Sequence, residues 1–130
     1  MSRGFFALFG GRPVVGRLLV EDDFAAANSV VLSHATWQRV FVSDRDIVGG
    51  TIRIGGEAVT VVGVLEQGFE PPQALVASSV DVWKPIDWSR EDFDEVGYHI
   101  LDVAGRMSPG ATEADVQAEL DALAARMAVL

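Results

Sequence analysis

The sequence predicts an α+β protein in which a mixed β-sheet is built around a central β-hairpin and carries a few packed helices. Three observations predict this class. Two β-prone runs flank the dipeptide Gly55-Gly56, a helical segment follows a capping residue at Ser33, and an amphipathic helix follows Thr112. Apolar residues that alternate with a period of two indicate strands, whereas a period near 3.6 indicates helices.

The hairpin is predicted from Gly49 to Val64. A two-residue loop needs positive φ angles at both central positions, and glycine adopts them without steric cost. With Gly55-Gly56 as the loop, the predicted partners are Ile54 with Glu57, Arg53 with Ala58, Ile52 with Val59 and Thr51 with Thr60. Because side chains alternate along a strand, one face should carry Ile52, Ile54, Val59 and Val61, and the other face Val62 and Val64. The second strand is therefore predicted to be covered on both faces, as a central strand is.

Short elements are predicted before the hairpin. The apolar run from Gly4 to Leu8 predicts one or two helical turns, and the segment around Pro13 and Gly16 predicts an extended path. Ser29 to Leu32 is predicted to be a buried strand. Ser33 should then cap a helix from His34 to Val42, whose core face carries Trp37, Val40 and Phe41.

After the hairpin, Phe69 lies in a proline-containing loop and is predicted to plug the core. Alternating patterns predict strands from Val80 to Ile86 and from Tyr98 to Ala104. Thr112 and Asp115 resemble a capping box. The helix that they begin has an apolar stripe at i, i+4, i+7 and i+11, formed by Val116, Leu120, Leu123 and Met127. Such a stripe needs a sheet or another helix to cover it.

Composition limits the function classes. The 130 residues match one ordinary domain or one and a half small ones. A content of 49% hydrophobic and 22% charged residues is typical of a folded globular protein. The net charge of −9 disfavours binding to nucleic acid or to an anionic membrane surface. Without cysteine, the chain has no disulfide, thiolate zinc site or cysteine nucleophile. No stretch approaches the ~20 consecutive apolar residues of a membrane span.

The sequence predicts no catalytic, cofactor-binding or metal-ligating residues. The carboxylates of Glu21 to Asp23 lack the alternate spacing of a calcium loop and are interpreted as a solvated helix start or loop. The acidic segment from Asp87 to Gly97 also lacks that register. Ser33 and His34 lack the strained elbow motif of hydrolases, so Ser33 is interpreted as a helix cap rather than a nucleophile. His34 is expected to be an exposed residue of the first helical turn. An enzyme would require His34 and His99 to meet in space.

Six segments, taken in order, carry a resemblance to a known family. They are GFFALFGGRPVVGR, VVLSHATWQRVF, IVGGTIRIGGEAVTVVGV, GFEPP, DVWKPI and VAGRMSPGATEADVQAEL. The set resembles the periplasmic core domain of MacB-type ABC transporter permeases, of the FtsX/MacB type that includes duplicated permeases. The likeness extends from Ser2 to about Met127.

The resemblance implies a division of the chain. Residues 1–98 would form the inserted lobe called Sabre, with the hairpin as its central strands. Residues 99–130 would form an incomplete strand–helix unit of the porter-like part. The domain would belong to an integral membrane protein and lie on the periplasmic or extracellular face of the cell membrane. The parent protein is expected to be dimeric, whereas the isolated lobe is compatible with a monomer.

The implied function is non-catalytic and needs no cofactor. In MacB-like proteins such domains transmit ATP-driven motion, and some dock a periplasmic adaptor and an outer-membrane channel. Partners would be the rest of the permease, its ATPase subunit and such docked proteins. The alternative is a partner-binding module of a lipoprotein-handling or cell-wall-regulating FtsX-like permease. The third class of function that the sequence leaves open is an enzyme activity.

Overall fold

The computed structural model describes residues 1–76, 79–88 and 101–128. Four helices, five strands and one 3₁₀ turn are found in these residues. In chain order they are α1 (Phe5–Phe9), β1 (Pro13–Gly16), α2 (Glu21–Ala26), β2 (Ser29–Leu32), α3 (His34–Phe41), the 3₁₀ turn (Arg45–Ile47), β3 (Thr51–Ile54), β4 (Glu57–Leu65), β5 (Val82–Trp83) and α4 (Glu113–Met127).

Strand β4 is the centre of a mixed sheet. It runs parallel to β2 and antiparallel to both β1 and β3, and β5 pairs antiparallel with the far side of β2. Because β2 occupies one edge of β4, strands β1 and β3 share the other edge, each along one half of it. The predicted α+β class and the central position of the second hairpin strand are confirmed, and the first hairpin strand lies at an edge.

The register of the hairpin is the predicted one. Thr51 lies opposite Thr60, and Ile54 lies opposite Glu57 next to the Gly55-Gly56 turn. The φ angles of the two glycines are 57° and 89°, so the turn uses the left-handed region twice. L-residues with a side chain adopt this region at a cost, which explains glycine at both positions.

The predicted face of Val64 is wrong, because β4 contains a bulge. Val30 pairs with Val61 but Val31 pairs with Gly63, so Val62 has no partner in the parallel ladder. One extra residue exchanges the two faces beyond that point. Val64 therefore packs with Val59 and Val61, while Val62 packs with Leu65 on the opposite side.

Glycines permit a close backbone crossing at this bulge. The amide of Arg17 donates to the Val62 carbonyl oxygen at 3.0 Å. A Cβ atom on Gly63 would collide with the Arg17 carbonyl oxygen, and one on Gly16 would collide with the Val62 carbonyl oxygen. Gly16 also has a φ angle of 69°, which favours glycine. The chain can turn away from the sheet here only because both positions lack side chains.

Apolar cores lie on both faces of the sheet. The first contains Val30, Val59 and Val61 under Trp37 of α3. The second contains Val31, Val62 and Trp83 and is covered by Phe6 of α1 and Phe69. The ring of Phe69 packs edge-on against Phe6 and Trp83, with centroids 5.7 and 5.9 Å apart. Its predicted role as a plug is confirmed.

Three predicted elements differ from the structure. Val40 of α3 is 55% exposed, so only Trp37 and Phe41 of the predicted face contact the core. The strand predicted over Val80–Ile86 is limited to β5, since Pro85 lacks an amide hydrogen and ladder pairing stops before it. The predicted strand at Tyr98–Ala104 is absent from Leu101–Ala104, and its first three residues lie outside the described ranges.

Helix α4 forms as predicted but has no buried residue. The amide of Asp115 donates to the Thr112 hydroxyl at 3.3 Å, and the Asp115 carboxylate accepts from the Thr112 amide at 2.9 Å. This is the reciprocal capping box that the sequence predicts. Leu120, Leu123 and Met127 are each about half exposed, at 54, 45 and 53%. Val116, the first residue of the stripe, is half-buried.

Candidate functional site

Asp23 is a buried carboxylate in the first turn of α2. Only 5% of the residue is exposed, so its charge must be compensated within the protein. Arg17 donates from Nη1 to Oδ2 at 2.6 Å and from Nη2 to Oδ1 at 3.2 Å. The Val20 amide donates to Oδ2 at 2.7 Å, as an N-cap amide does to an acidic residue three positions on.

These contacts explain the acidity of Asp23. Hydrogen bonding from Arg17 lowers the pKa of the carboxyl from its ordinary 3.8 to about 2, against the opposing effect of burial, with help from the Val20 amide and Ser29. The same contact raises the pKa of Arg17. The prediction that Glu21 to Asp23 is a solvated stretch is therefore wrong for Asp23. Its role is structural, because the pair fixes the entry of α2 beside the bulge.

A second polar cluster fixes the start of α3. The Ser33 hydroxyl accepts from the Thr36 amide at 3.2 Å, which confirms the predicted cap. The Thr36 hydroxyl donates to Asp81 Oδ1 at 2.6 Å, and Arg39 Nη2 donates to the same oxygen at 3.0 Å. Both contacts lower the pKa of the Asp81 carboxyl. Ser33 is thus held as a cap, and its hydroxyl also donates to the Thr36 hydroxyl at 3.0 Å.

A groove opens beside the N-terminal end of α3. Its volume is about 630 Å³, its floor includes Leu65, Phe69 and Trp83, and its rim includes His34 and Glu70. His34 is half-buried rather than exposed as predicted, because its ring packs edge-on against Trp37 at 5.5 Å. The groove combines an aromatic floor with an acidic rim. Sequence reasoning missed it, although the glycine- and proline-containing loop after β4 was a signal for an irregular surface.

The remaining site predictions meet different outcomes. His99 and residues 89–97 of the acidic segment lie outside the described ranges, so a meeting of His34 with His99 is not tested. Among the residues that are described, no three histidine, aspartate or glutamate side chains converge on a point that could hold a metal ion. In the same residues, no helix has the length and apolarity to cross a membrane.

A family model described as the MacB-like periplasmic core domain matches residues 1–123. The chain belongs to this family. The resemblance inferred from the ordered motifs is thereby confirmed, and with it the extracytoplasmic character of this MacB-like domain. A search of curated proteins with the sequence of this chain found no match.

Solved structures that resemble this chain include two domains of ABC-type transporters. One is the extracellular domain of the noncanonic ABC-type transporter YknZ from Gram-positive bacteria, with 20% identity and a TM-score of 0.51 over 65% of this chain. The other is the periplasmic region of MacB from Actinobacillus actinomycetemcomitans, with 21% identity and a TM-score of 0.45 over 68% of this chain. The first likeness supports the fold alone. The chain spans 40% and 46% of the lengths of these two structures.

Proposed function

We propose that this MacB-like domain is a non-catalytic module of an ABC transporter permease and transmits movement between the membrane part and proteins outside the membrane. The family match over residues 1–123 is the observation that carries the proposal. In the parent, the domain would work with the membrane part of the permease and with its ATPase subunit. A periplasmic adaptor and an outer-membrane channel are proposed as docked partners.

The packing supports transmission as a rigid body. Strand β4 is buried on both faces, and the two cores on either side hold α1 and α3 against one sheet. Well-packed interiors deform little, so a force applied at one end moves the whole lobe. We assign this role to the Sabre-like residues 1–98, and we assign residues 99–130 to the porter-like unit.

The polar residues of the lobe support a non-catalytic role. Asp23 is neutralised by Arg17, Ser33 is engaged as a cap, and Asp81 is held by Thr36 and Arg39. The side chains of Asp23, Ser33 and Asp81 are thus all used in contacts that hold the fold together. The Thr36 hydroxyl, which donates to Asp81 at 2.6 Å, is buried and also accepts from the Ser33 hydroxyl, so it is part of the network that holds the start of α3.

Spin-label distances in the full permease test the proposal directly. The domain has no cysteine, so single cysteines can be placed at the exposed residues Asp22 and Arg53. The distance between these two labels should stay constant when ATP is added. The distance from Asp22 to a label on the membrane part should change, and an ATPase-dead permease is the control.

Two results would contradict the proposal. Either the distance within the domain changes as much as the distance to the membrane part, or neither distance responds to ATP. A photo-crosslinker at Val42, which is 84% exposed, identifies the client. Capture of an adaptor supports export, whereas capture of a lipoprotein or a cell-wall hydrolase supports the FtsX-like alternative.

A further inference from the structure

The groove beside the N-terminal end of α3 has an apolar floor. Leu65 and Trp83 of the second core contribute to it, with 1 and 8% of each residue exposed. Phe69, Val76 and Val80 line the groove as half-buried residues. Its volume of about 630 Å³ lies within the range of roughly 300–1,000 Å³ that is typical of ligand pockets. The groove is therefore large enough to take an apolar side chain from another molecule.

The formal charge of this groove is negative. Among the described residues that line it, the carboxylates are Glu66 and Glu70, and none is a lysine or an arginine. Neither carboxylate forms an ion pair with a residue that the structure describes. The whole chain carries a net charge of −9, which adds to the local field. The groove is therefore complementary to a ligand that carries positive charge beside an apolar part.

Amide side chains surround the same opening. Gln38, Gln67 and Gln73 line the groove and are exposed. A primary amide both donates and accepts hydrogen bonds, as the peptide backbone does. These side chains can therefore bind the backbone of an extended peptide segment, which a small cationic amphiphile does not have.

We propose that the groove binds a segment of a partner protein in which an apolar side chain lies next to lysine or arginine. The apolar side chain packs on the aromatic floor, and the basic groups pair with Glu66 and Glu70. Lysine and arginine can reach these carboxylates because their stems are long and flexible. The inference goes beyond the proposed function, since transmission of movement requires no peptide site and the spin-label distances test that function independently.

Peptide titration of the 130-residue protein, followed by amide NMR spectra, tests the proposal. The probe is the blocked tripeptide acetyl-Lys-Leu-Lys-amide. The amide signals of Phe69 and Glu70 should shift with a dissociation constant of about 1 mM or less, whereas those of the Gly55-Gly56 turn should not. Acetyl-Glu-Leu-Glu-amide and acetyl-Lys-Gly-Lys-amide should each bind about tenfold more weakly or worse. The first lacks the complementary charge, and the second lacks the apolar side chain.

Charge reversal in the groove provides a second test. In the double variant E66K/E70K the preference should reverse, so that the acidic peptide binds at least about fivefold more tightly than the basic one. The double variant D22K/D46K is the matched control. It makes the same change of net charge at exposed residues that do not line the groove, and it should keep the preference for the basic peptide.

Four results would overturn the proposal. They are no binding of the basic peptide at about 10 mM, equal binding of the three peptides, shifts confined to residues outside the groove, and a folded E66K/E70K variant that still prefers the basic peptide. If octylamine shifts the groove signals and the tripeptides do not, the ligand is a cationic amphiphile and the assignment to a peptide is wrong. The comparison of the three peptides uses the unaltered chain, so its result holds even if E66K/E70K fails to fold.

Discussion

At the scale of single residues, an ion pair between the half-exposed Arg17 side chain and the buried Asp23 carboxylate joins the end of β1 to the start of α2. Asp23 accepts from Arg17 and from the Val20 amide, while Arg17 binds Val62 through its own amide. The pair therefore closes the loop that leaves the sheet at the bulge. A buried carboxylate is costly unless it is paired and hydrogen-bonded, so the contacts from Arg17 and Val20 are expected to stabilise the fold.

Asp23→Asn is expected to lower the free energy of unfolding at pH 7 by about 2 kcal/mol. The carboxyl titrates near 2 in the folded chain and at its ordinary 3.8 when it is free. Because the folded pKa is the lower one, the stabilisation is complete above pH 4 and is lost as the pH falls toward 2. Urea unfolding of both proteins between pH 7 and pH 2 measures this difference.

Asp22→Asn is the matched control, since Asp22 is the exposed neighbour of Asp23 on the same helix. It should change the unfolding free energy at pH 7 by less than about 0.5 kcal/mol. If Asp23→Asn has the same stability as the parent at pH 7, or keeps the parent's full acid dependence, the ion pair does not stabilise the fold.

At the scale of elements, the hairpin turn depends on backbone conformation alone. Gly55 and Gly56 have positive φ angles, and no atom lies within 4 Å of a Cβ built on either residue. Replacing both with valine should cost about 1–2 kcal/mol per residue, because L-residues disfavour the left-handed region. Thermal and urea denaturation of the double variant measure the loss.

Gly55→Asn provides the control for this prediction. Asparagine tolerates the left-handed region, and Asn-Gly is a preferred type I′ turn. The single variant should therefore remain close to the parent in stability. A valine double variant that melts with the parent would show that the turn does not require positive φ angles.

Local signals in the sequence predicted the hairpin, both helix caps and the buried strand β2. Each depends on residues that are neighbours in the chain, such as Gly55-Gly56 or Ser33 with Thr36. The face of Val64 was predicted wrongly, because the bulge arises where Gly63 meets Arg17, two residues far apart in sequence. A long-range contact of this kind follows from tertiary structure and leaves no periodic pattern. The Arg17–Asp23 pair spans only six residues, but it joins an irregular loop to a helix start, where no periodic pattern marks it.

At the scale of the whole molecule, the described residues divide into a packed sheet and a peripheral C-terminal segment. Residues 101–128 contribute no buried side chain, and Arg106 reaches the body through one hydrogen bond to the Leu8 carbonyl oxygen. The stability of the fold is therefore expected to reside in the part of the chain that precedes residue 101.

Removal of residues 101–130 should change the unfolding free energy by less than about 1 kcal/mol, because little apolar surface is lost from the core. Urea denaturation of the shortened and the full chain measures this difference. Truncation after residue 76 is the contrasting variant. It removes β5 with Trp83, which is 8% exposed in the second core, and should unfold the domain. Loss of folding in the longer fragment would contradict the division.

The division of one sheet edge between β1 and β3 has a consequence for solubility. Each of these strands is only four residues long, and the chain leaves the edge at the Gly16–Gly63 crossing between them. At the opposite edge, the Met1 carbonyl oxygen accepts from the Ile86 amide just beyond the two-residue β5. Long open edges recruit strands from other molecules and start sheet growth, whereas short interrupted edges do not. We therefore expect that crowded copies of this domain do not add strand to strand into fibrils.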